Sequence, residues 1–150
     1  MTDVGWEQEI AGLRERQRAA LAMGGPDKIR IQHAKGKLAV RERIAQLLDV
    51  GSFREIGSIA GTGSYAPDGT LTGFSPSNLL FGRGRIDGRP VVVSGDDFTV
   101  RGGAADASIH EKLTQAEQMA NELRLPHVRL LDGSGGGGLD QNSGSCRPCK

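Results

Sequence analysis

Two glycine clusters are the residues of this chain best suited to chemistry. Gly102-Gly103 lies in "DFTVRGGAAD", and Gly135-Gly136-Gly137 lies in "LLDGSGGGGL". Each follows an apolar run, Val91-Val92-Val93 before the first and Val128 to Leu131 before the second. Glycine lets a backbone come close to a ligand because no Cβ intervenes. N–H groups near a helix start lack intrahelical partners and point outward. One such donor from each cluster could converge on a single oxygen, which is the geometry of an oxyanion hole. A Gly-Gly pair ahead of a helix is also an ordinary turn, and spacing alone leaves both readings open. Neither G-x-G-x-x-G in a dinucleotide context nor G-x-x-x-x-G-K-[ST] occurs.

Other candidates carry less. Asp96 and Asp97 could act as acids or bases, but an Asp at a strand end also caps the loop that follows. His33, His110 and His127 are scattered and read as surface or packing residues. Ser94, Ser108 and Ser134 lack a nucleophile-elbow context, so no covalent nucleophile is expected. Cys146 and Cys149 form one C-x-x-C at the extreme C-terminus and supply two metal ligands where a closed zinc site needs four, so no metal site is expected. No strand–helix context marks the pair as redox-active. Residues 28 to 43 hold Lys28, Arg30, Lys35, Lys37, Arg41 and Arg43 against Glu42. That stretch is either a solvated face or a patch for an anionic ligand such as a phosphate.

The elements that must position these residues follow from periodicity. Residues 3–22 read as a helix, with Trp6, Ile10, Leu13 and Ala20/Leu21 at helical spacing, and Gly24-Gly25-Pro26 stops it. So polar a helix needs a partner surface. A second helix is expected over 38–48, with Val40, Ile44, Leu47 and Leu48 on one face and Asp49-Val50-Gly51 at its end. Residues 52–60 form a short strand candidate, and the turn-rich segment that follows holds Asp68-Gly69 as a hairpin turn. "LLFGRGRI" reads as a strand, Asp87-Gly88-Arg89-Pro90 as a turn, and "VVVSGD" as a strand buried on both faces. A helix over 106–125 carries Ile109, Leu113, Ala116, Met119/Ala120 and Leu123, and Pro126 ends it ahead of the strand "HVRLLD". Strand 91–96, helix 106–125 and strand 127–132 make a right-handed βαβ unit with parallel strands. Both glycine clusters then lie at the C-terminal ends of parallel strands, where open α/β sheets bind ligands.

Composition bounds the function. A chain of 150 residues can bury one core, and at 4% aromatic content that core is aliphatic. Glycine, at 23 residues, is about twice the usual ~7%. A net charge of +1 argues against a general nucleic-acid binder. No apolar run approaches the ~18 residues of a membrane span, and the acidic, polar "MTDVGWEQEI" is no signal peptide. A cytoplasmic location without membrane or nucleic-acid partners is expected.

Longer motifs point to a family. "AKGKLAVRERIAQLLDVGSF" (34–53), "GRGRIDGRPVVVSGDDFTVRGGA" (82–104) and "LLDGSGGGG" (130–138) stand in the order found in biotin-dependent acyl-CoA carboxylase carboxyltransferase β subunits. The chain resembles that family, which includes the propionyl-CoA and methylcrotonyl-CoA carboxylase β chains and related decarboxylases, from about residue 5 to 139. The resemblance implies an α/β fold, the crotonase-like (ClpP/crotonase) superhelix of ββα units, here truncated and preceded by two N-terminal helices. It implies an N-terminal helix at 1–24, an incomplete carboxyltransferase N-terminal domain at 25–139 and a non-family, disordered tail at 140–150.

Its implied activity is transfer of a carboxyl group between carboxybiotin and the α-carbon of an acyl-CoA. Backbone N–H groups of Gly102, Gly103, Gly135 and Gly136 would hold the thioester enolate, with Lys37 and Arg41 toward the CoA phosphates. Biotin would ride on a biotin carboxylase or biotin carrier partner, and the subunit would be a homo-oligomer whose acyl-CoA lies between domains of different copies. A second oxyanion hole, for the biotin ureido oxygen, belongs to the family's C-terminal domain. The usual loop reads "DGGGARIQEG"; here Gly137-Gly138 replace its Ala-Arg continuation, and "GFSPSNLLFGRG" lengthens the segment before the hairpin. After Leu139 the pattern is lost, which suggests premature termination or a frameshift. Three readings remain open: part of an enzyme, a module that only binds CoA or a partner subunit, or a remnant without function.

Overall fold

In the computed structural model, which describes residues 5–103 and 110–133, the N-terminal third is helical. Helix α1 spans Glu7–Ala22, α2 Pro26–Ala34 and α3 Val40–Leu47. Three helices thus stand where the sequence led us to expect two, and α2 is the addition. Gly24-Gly25-Pro26 does end α1, but Pro26 also opens α2: its fixed φ suits the first helical position, and its missing N–H is not needed there. Gly25, at φ 94°, turns the corner between them. On α1 the apolar positions Ile10, Leu13 and Leu21 are exposed, as is Trp6 just before it, while Ala20 is buried. The partner surface of α1 is a hairpin strand, described below. Helix α3 buries the expected face through Val40 and Ile44, with Leu48 just beyond it. The Glu42 carboxylate accepts the Ala39 N–H at 2.7 Å and ties down its first turn.

Among the described residues six strands follow: β1 (Arg54–Ile56), β2 (Gly61–Tyr65), β3 (Leu71–Pro76), β4 (Leu79–Ile86), β5 (Arg89–Asp96) and β6 (His127–Leu130), with helix α4 (His110–Glu122) between the last two. Strands β2 and β3 form a separate antiparallel pair within the segment that had read as turn-rich. Asp68-Gly69 lies in their turn as expected, with Asp68 Oδ1 accepting the Thr70 N–H at 2.9 Å. α1 packs on β3.

The main sheet has the order β1-β4-β5-β6. β4 and β5 are antiparallel, and Ile86 pairs with Arg89, so the turn is the two residues Asp87-Gly88. Both have positive φ (50° and 75°), as a tight hairpin turn of the favoured twist requires. The Asp49 carboxylate, just after α3, accepts both turn amides, at 2.9 and 2.8 Å. β5 and β6 are parallel, joined through α4, as the βαβ reading demands.

The core has two layers. Val91 and Val93 face α3, in a cluster with Val40, Ile44, Leu48 and Leu80. Val92 faces α4, with Phe81, Ala116 and Ala120. The unbroken Val run is therefore buried on both sides, with alternate side chains serving opposite layers.

Candidate functional site

β5 ends at Asp96, and the loop after it carries the first glycine cluster. Asp97 is buried, 1% exposed, and its Oδ1 accepts the Thr99 N–H at 2.9 Å and the Thr99 hydroxyl at 2.6 Å. It caps its own loop, the alternative noted for an Asp at a strand end. Burial pushes its pKa up, while the Thr99 hydrogen bonds and the Arg41 and Lys28 cations oppose that. Its Oδ2 is buried without a hydrogen-bond partner. The Thr99 hydroxyl oxygen also accepts the Gly24 N–H at 3.0 Å, so the α1–α2 corner docks on this loop. The chains touch there: a Cβ on Gly24 would lie 2.0 Å from the Thr99 carbonyl oxygen.

The loop closes with a short 3₁₀ turn, Arg101–Gly103. All three residues have positive φ, at 52°, 64° and 65°. The Gly103 N–H donates to the Val100 carbonyl at 3.1 Å. The two glycine-bearing loops meet at Gly103: a Cβ there would lie 2.4 Å from the Asp132 carbonyl oxygen and 3.0 Å from the Gly133 Cα. The ends of β5 and β6 thus meet at Gly103 and Asp132-Gly133, where a carbonyl oxygen rather than a second N–H faces Gly103. Gly135 and Gly136 lie outside the described residues, as do Ser108, Ser134, both cysteines, the 140–150 tail and the expected helix start at Asp106.

The basic stretch divides into different fates. The Arg41 guanidinium turns inward, with Nη1 2.7 Å and Nη2 3.3 Å from the two Glu55 carboxylate oxygens, and Nη2 3.4 Å from the Ala20 carbonyl. Lys37 Nζ lies 3.1 Å from Asp132 Oδ1, at the end of β6. Arg43 reaches the Leu131 carbonyl at 3.5 Å, and Arg30 pairs with Asp27 on the surface. Lys28 and Lys35 line a cavity of about 200 Å³ between α2 and the first glycine loop, together with Ile31, Phe98, Thr99 and Gly102. The ammonium groups of Lys35 and Lys37 lie 6.0 and 5.5 Å from the Phe98 ring centre, within cation–π range. The cavity therefore offers cations, an aromatic face and a glycine backbone side by side. That combination suits a ligand with both phosphates and a planar base.

Lys112 escaped the sequence reading. It is 6% exposed, and burial pulls its pKa down from 10.5 to about 8, against the opposing pull of Glu55. Gln32 escaped it as well, because the signal for both Gln32 and the cavity lies on α2. Lys28, Ile31/Gln32 and Lys35 recur at helical spacing and share a face only once that helix is recognised. Of the histidines, His127 hydrogen-bonds the buried Ser94 hydroxyl through Nε2 at 2.8 Å, and burial lowers its pKa. His33 lies 2.8 Å from Glu42. His127 and Ser94 join β6 to β5, a packing role.

Residues 31–147 match the family model described as "Carboxyl transferase domain". The carboxyltransferase subunit of propionyl-CoA carboxylase from Haloferax mediterranei is 37% identical over 129 residues, covering 86% of this chain and 25% of that protein. The human mitochondrial propionyl-CoA carboxylase beta chain is 35% identical over 125 residues, covering 82% and 23%. The chain thus spans about a quarter of the length of these curated relatives. Among solved structures, the transcarboxylase 12S hexamer with methylmalonyl-coenzyme A and methylmalonic acid bound superposes with a TM-score of 0.75 at 30% identity, over 92% of this chain and 27% of that one.

Proposed function

This chain belongs to the carboxyl transferase domain family and has its crotonase-like ββα fold, and from that premise we propose that it is the acyl-CoA side of a carboxyltransferase subunit. In this reading the chain contributes the N-terminal part, residues 25–139, of an enzyme that moves a carboxyl group between carboxybiotin and the α-carbon of an acyl-CoA. The observation that carries it is the contact of two glycine-bearing loops at Gly103 and Asp132-Gly133, beside the cationic cavity of α2. The CoA nucleotide lies along Lys28, Lys35 and Phe98, and the thioester points toward Gly102 and Gly103.

Backbone donors suit this chemistry. Removing the α-proton or the α-carboxyl group moves charge onto the thioester oxygen, and fixed N–H groups stabilise that oxygen without reorganising. Gly102, Gly103, Gly135 and Gly136 are the proposed donors. The Gly103 N–H must exchange its bond to the Val100 carbonyl for one to the thioester. Lys37 stands at the same end of the molecule, between Phe98 and Asp132. Arg41 is held by Glu55, so a phosphate contact from it would compete with that pair. Carboxybiotin, carried on a partner subunit, supplies the activated carboxyl group, and a further copy of the subunit completes the site.

The cationic cavity also supports a second reading: a chain that binds CoA or a partner subunit without turnover. Isothermal titration with CoA tests what the two readings share. Micromolar binding is expected, weakened about tenfold or more in Lys28→Ala/Lys35→Ala, the scale of losing charge-assisted contacts. No binding to the folded chain would sink the acyl-CoA reading and leave only a partner-subunit module. Adding biotin carrier and acyl-CoA then separates them, since carboxylated product requires the first.

A further inference from the structure

The carboxylate of Asp132 is gripped from two sides by residues about a hundred positions earlier. Gln32 Nε2 donates to its Oδ2 at 2.8 Å, and Lys37 Nζ lies 3.1 Å from its Oδ1. Gln32 is 3% exposed, so its amide has given up water for this bond and has little else to turn to. The Asp132 side chain is itself 16% exposed. Its backbone N–H meets Asp96 Oδ2 at 3.4 Å, and its carbonyl oxygen lies against Gly103. An Asp at a strand end ordinarily caps the loop it begins. This one is held instead by α2 and the turn after it, so its position is set by the N-terminal helices.

We propose that Gln32 and Lys37 are positioning residues that clamp Asp132 and thereby set the spacing of the two glycine-bearing loops. The geometry gives α2 a second role beside lining the cavity. Gln32 reaches the end of β6 from the face of α2 that also lines the cavity, while the α1–α2 corner holds the first loop through Thr99. The α1–α2 corner and α2 together thus hold both partners of the Gly103 to Asp132 contact. The proposal rests on the acyl-CoA reading only for what the loops bind; the clamp itself does not require it.

Amide hydrogen exchange, followed by NMR on the whole chain, tests it. The reporters are the Gly103 N–H, bonded to the Val100 carbonyl, and the Asp132 N–H, facing Asp96. The Val92 N–H, bonded to the Pro126 carbonyl at the other end of β6, is the internal control. Gln32→Leu and Lys37→Met are each expected to speed exchange at both reporters by about tenfold, the worth of one hydrogen bond to a charged group, with Val92 unchanged. The double variant Gln32→Glu/Asp132→Asn rebuilds the bond with donor and acceptor reversed and is expected to restore protection lost in Gln32→Glu. Should Gln32→Leu fail to fold, Lys37→Met decides, because the Lys37 side chain is 54% exposed and dispensable to the core. Unchanged reporters in folded Lys37→Met, or equal acceleration at Val92, would overturn the clamp. CoA titration of the same variants keeps the outcomes distinct: a clamp that reports as expected on a chain that does not bind CoA removes the acyl-CoA reading and leaves the clamp.

Discussion

Lys112 illustrates what a single residue contributes when its environment opposes its charge. Its ammonium is buried beside the Arg41–Glu55 pair, and desolvation lowers its pKa to about 8. The unfolded chain therefore binds a proton that the folded chain has lost between pH 8 and 10.5, and stability must rise with pH across that window. Below pH 8 both states are protonated and the burial penalty is felt in full. Urea unfolding at pH 7.5 and pH 10 should show Lys112→Met more stable than the parent at the lower pH by about 1–3 kcal/mol, with the advantage shrinking at the higher. A difference independent of pH would mean that Lys112 ionises normally. At this scale much of the site was not legible in sequence. Arg41 and Lys37 stand in the same basic stretch, yet one is paired with Glu55 and the other with Asp132, 14 and 95 residues away. Periodicity carries no information about partners so remote. Asp97, by contrast, behaves as local chemistry alone suggests.

Helix α2 is the element on which the site depends most and the one the sequence concealed. Gly-Gly-Pro punctuates a chain in either sense: it stops a helix, and its proline starts one. The docking of the corner it forms is unforgiving, because Gly24 sits against the Thr99 carbonyl with no room for a side chain. Gly24→Ala is expected to lower the unfolding free energy by about 1–3 kcal/mol, as overpacking does, and to weaken CoA binding by moving α2 off the first glycine loop. Gly36→Ala, at φ 72° with open space around its Cβ, strains only the backbone and serves as the comparison. Equal losses in both would show that the corner has no special contact. The β-elements were easier to read. The βαβ unit, the Asp87-Gly88 turn and the doubly buried Val91–Val93 strand follow from local pattern, because turn type and strand burial are written in adjacent residues. The β2–β3 pair was hidden because six glycines and prolines in "GTGSYAPDGTLTGFSP" favour turns, although the strands pair with a single register shift at Ser64/Tyr65.

For the molecule as a whole, the fold brings Gly103 against Asp132-Gly133 by placing them after parallel strands β5 and β6. The N-terminal helices then add cations along one side, next to the Phe98 ring of the first loop. Family membership and this geometry support the same reading, an acyl-CoA surface built from backbone. No helix among the described residues is long and apolar enough to cross a membrane. Among the described residues β6 is an edge of the sheet, with Leu131 64% exposed beyond it, an edge suited to receive further structure. The central claim is tested most directly by adding propionyl-CoA to isotopically labelled chain and mapping amide chemical-shift changes. The proposed site predicts shifts concentrated at Lys28, Lys35, Phe98, Thr99, Gly102 and Gly103, with the β2–β3 hairpin silent. Shifts centred on that hairpin or on α1, or none at saturating ligand, would contradict it.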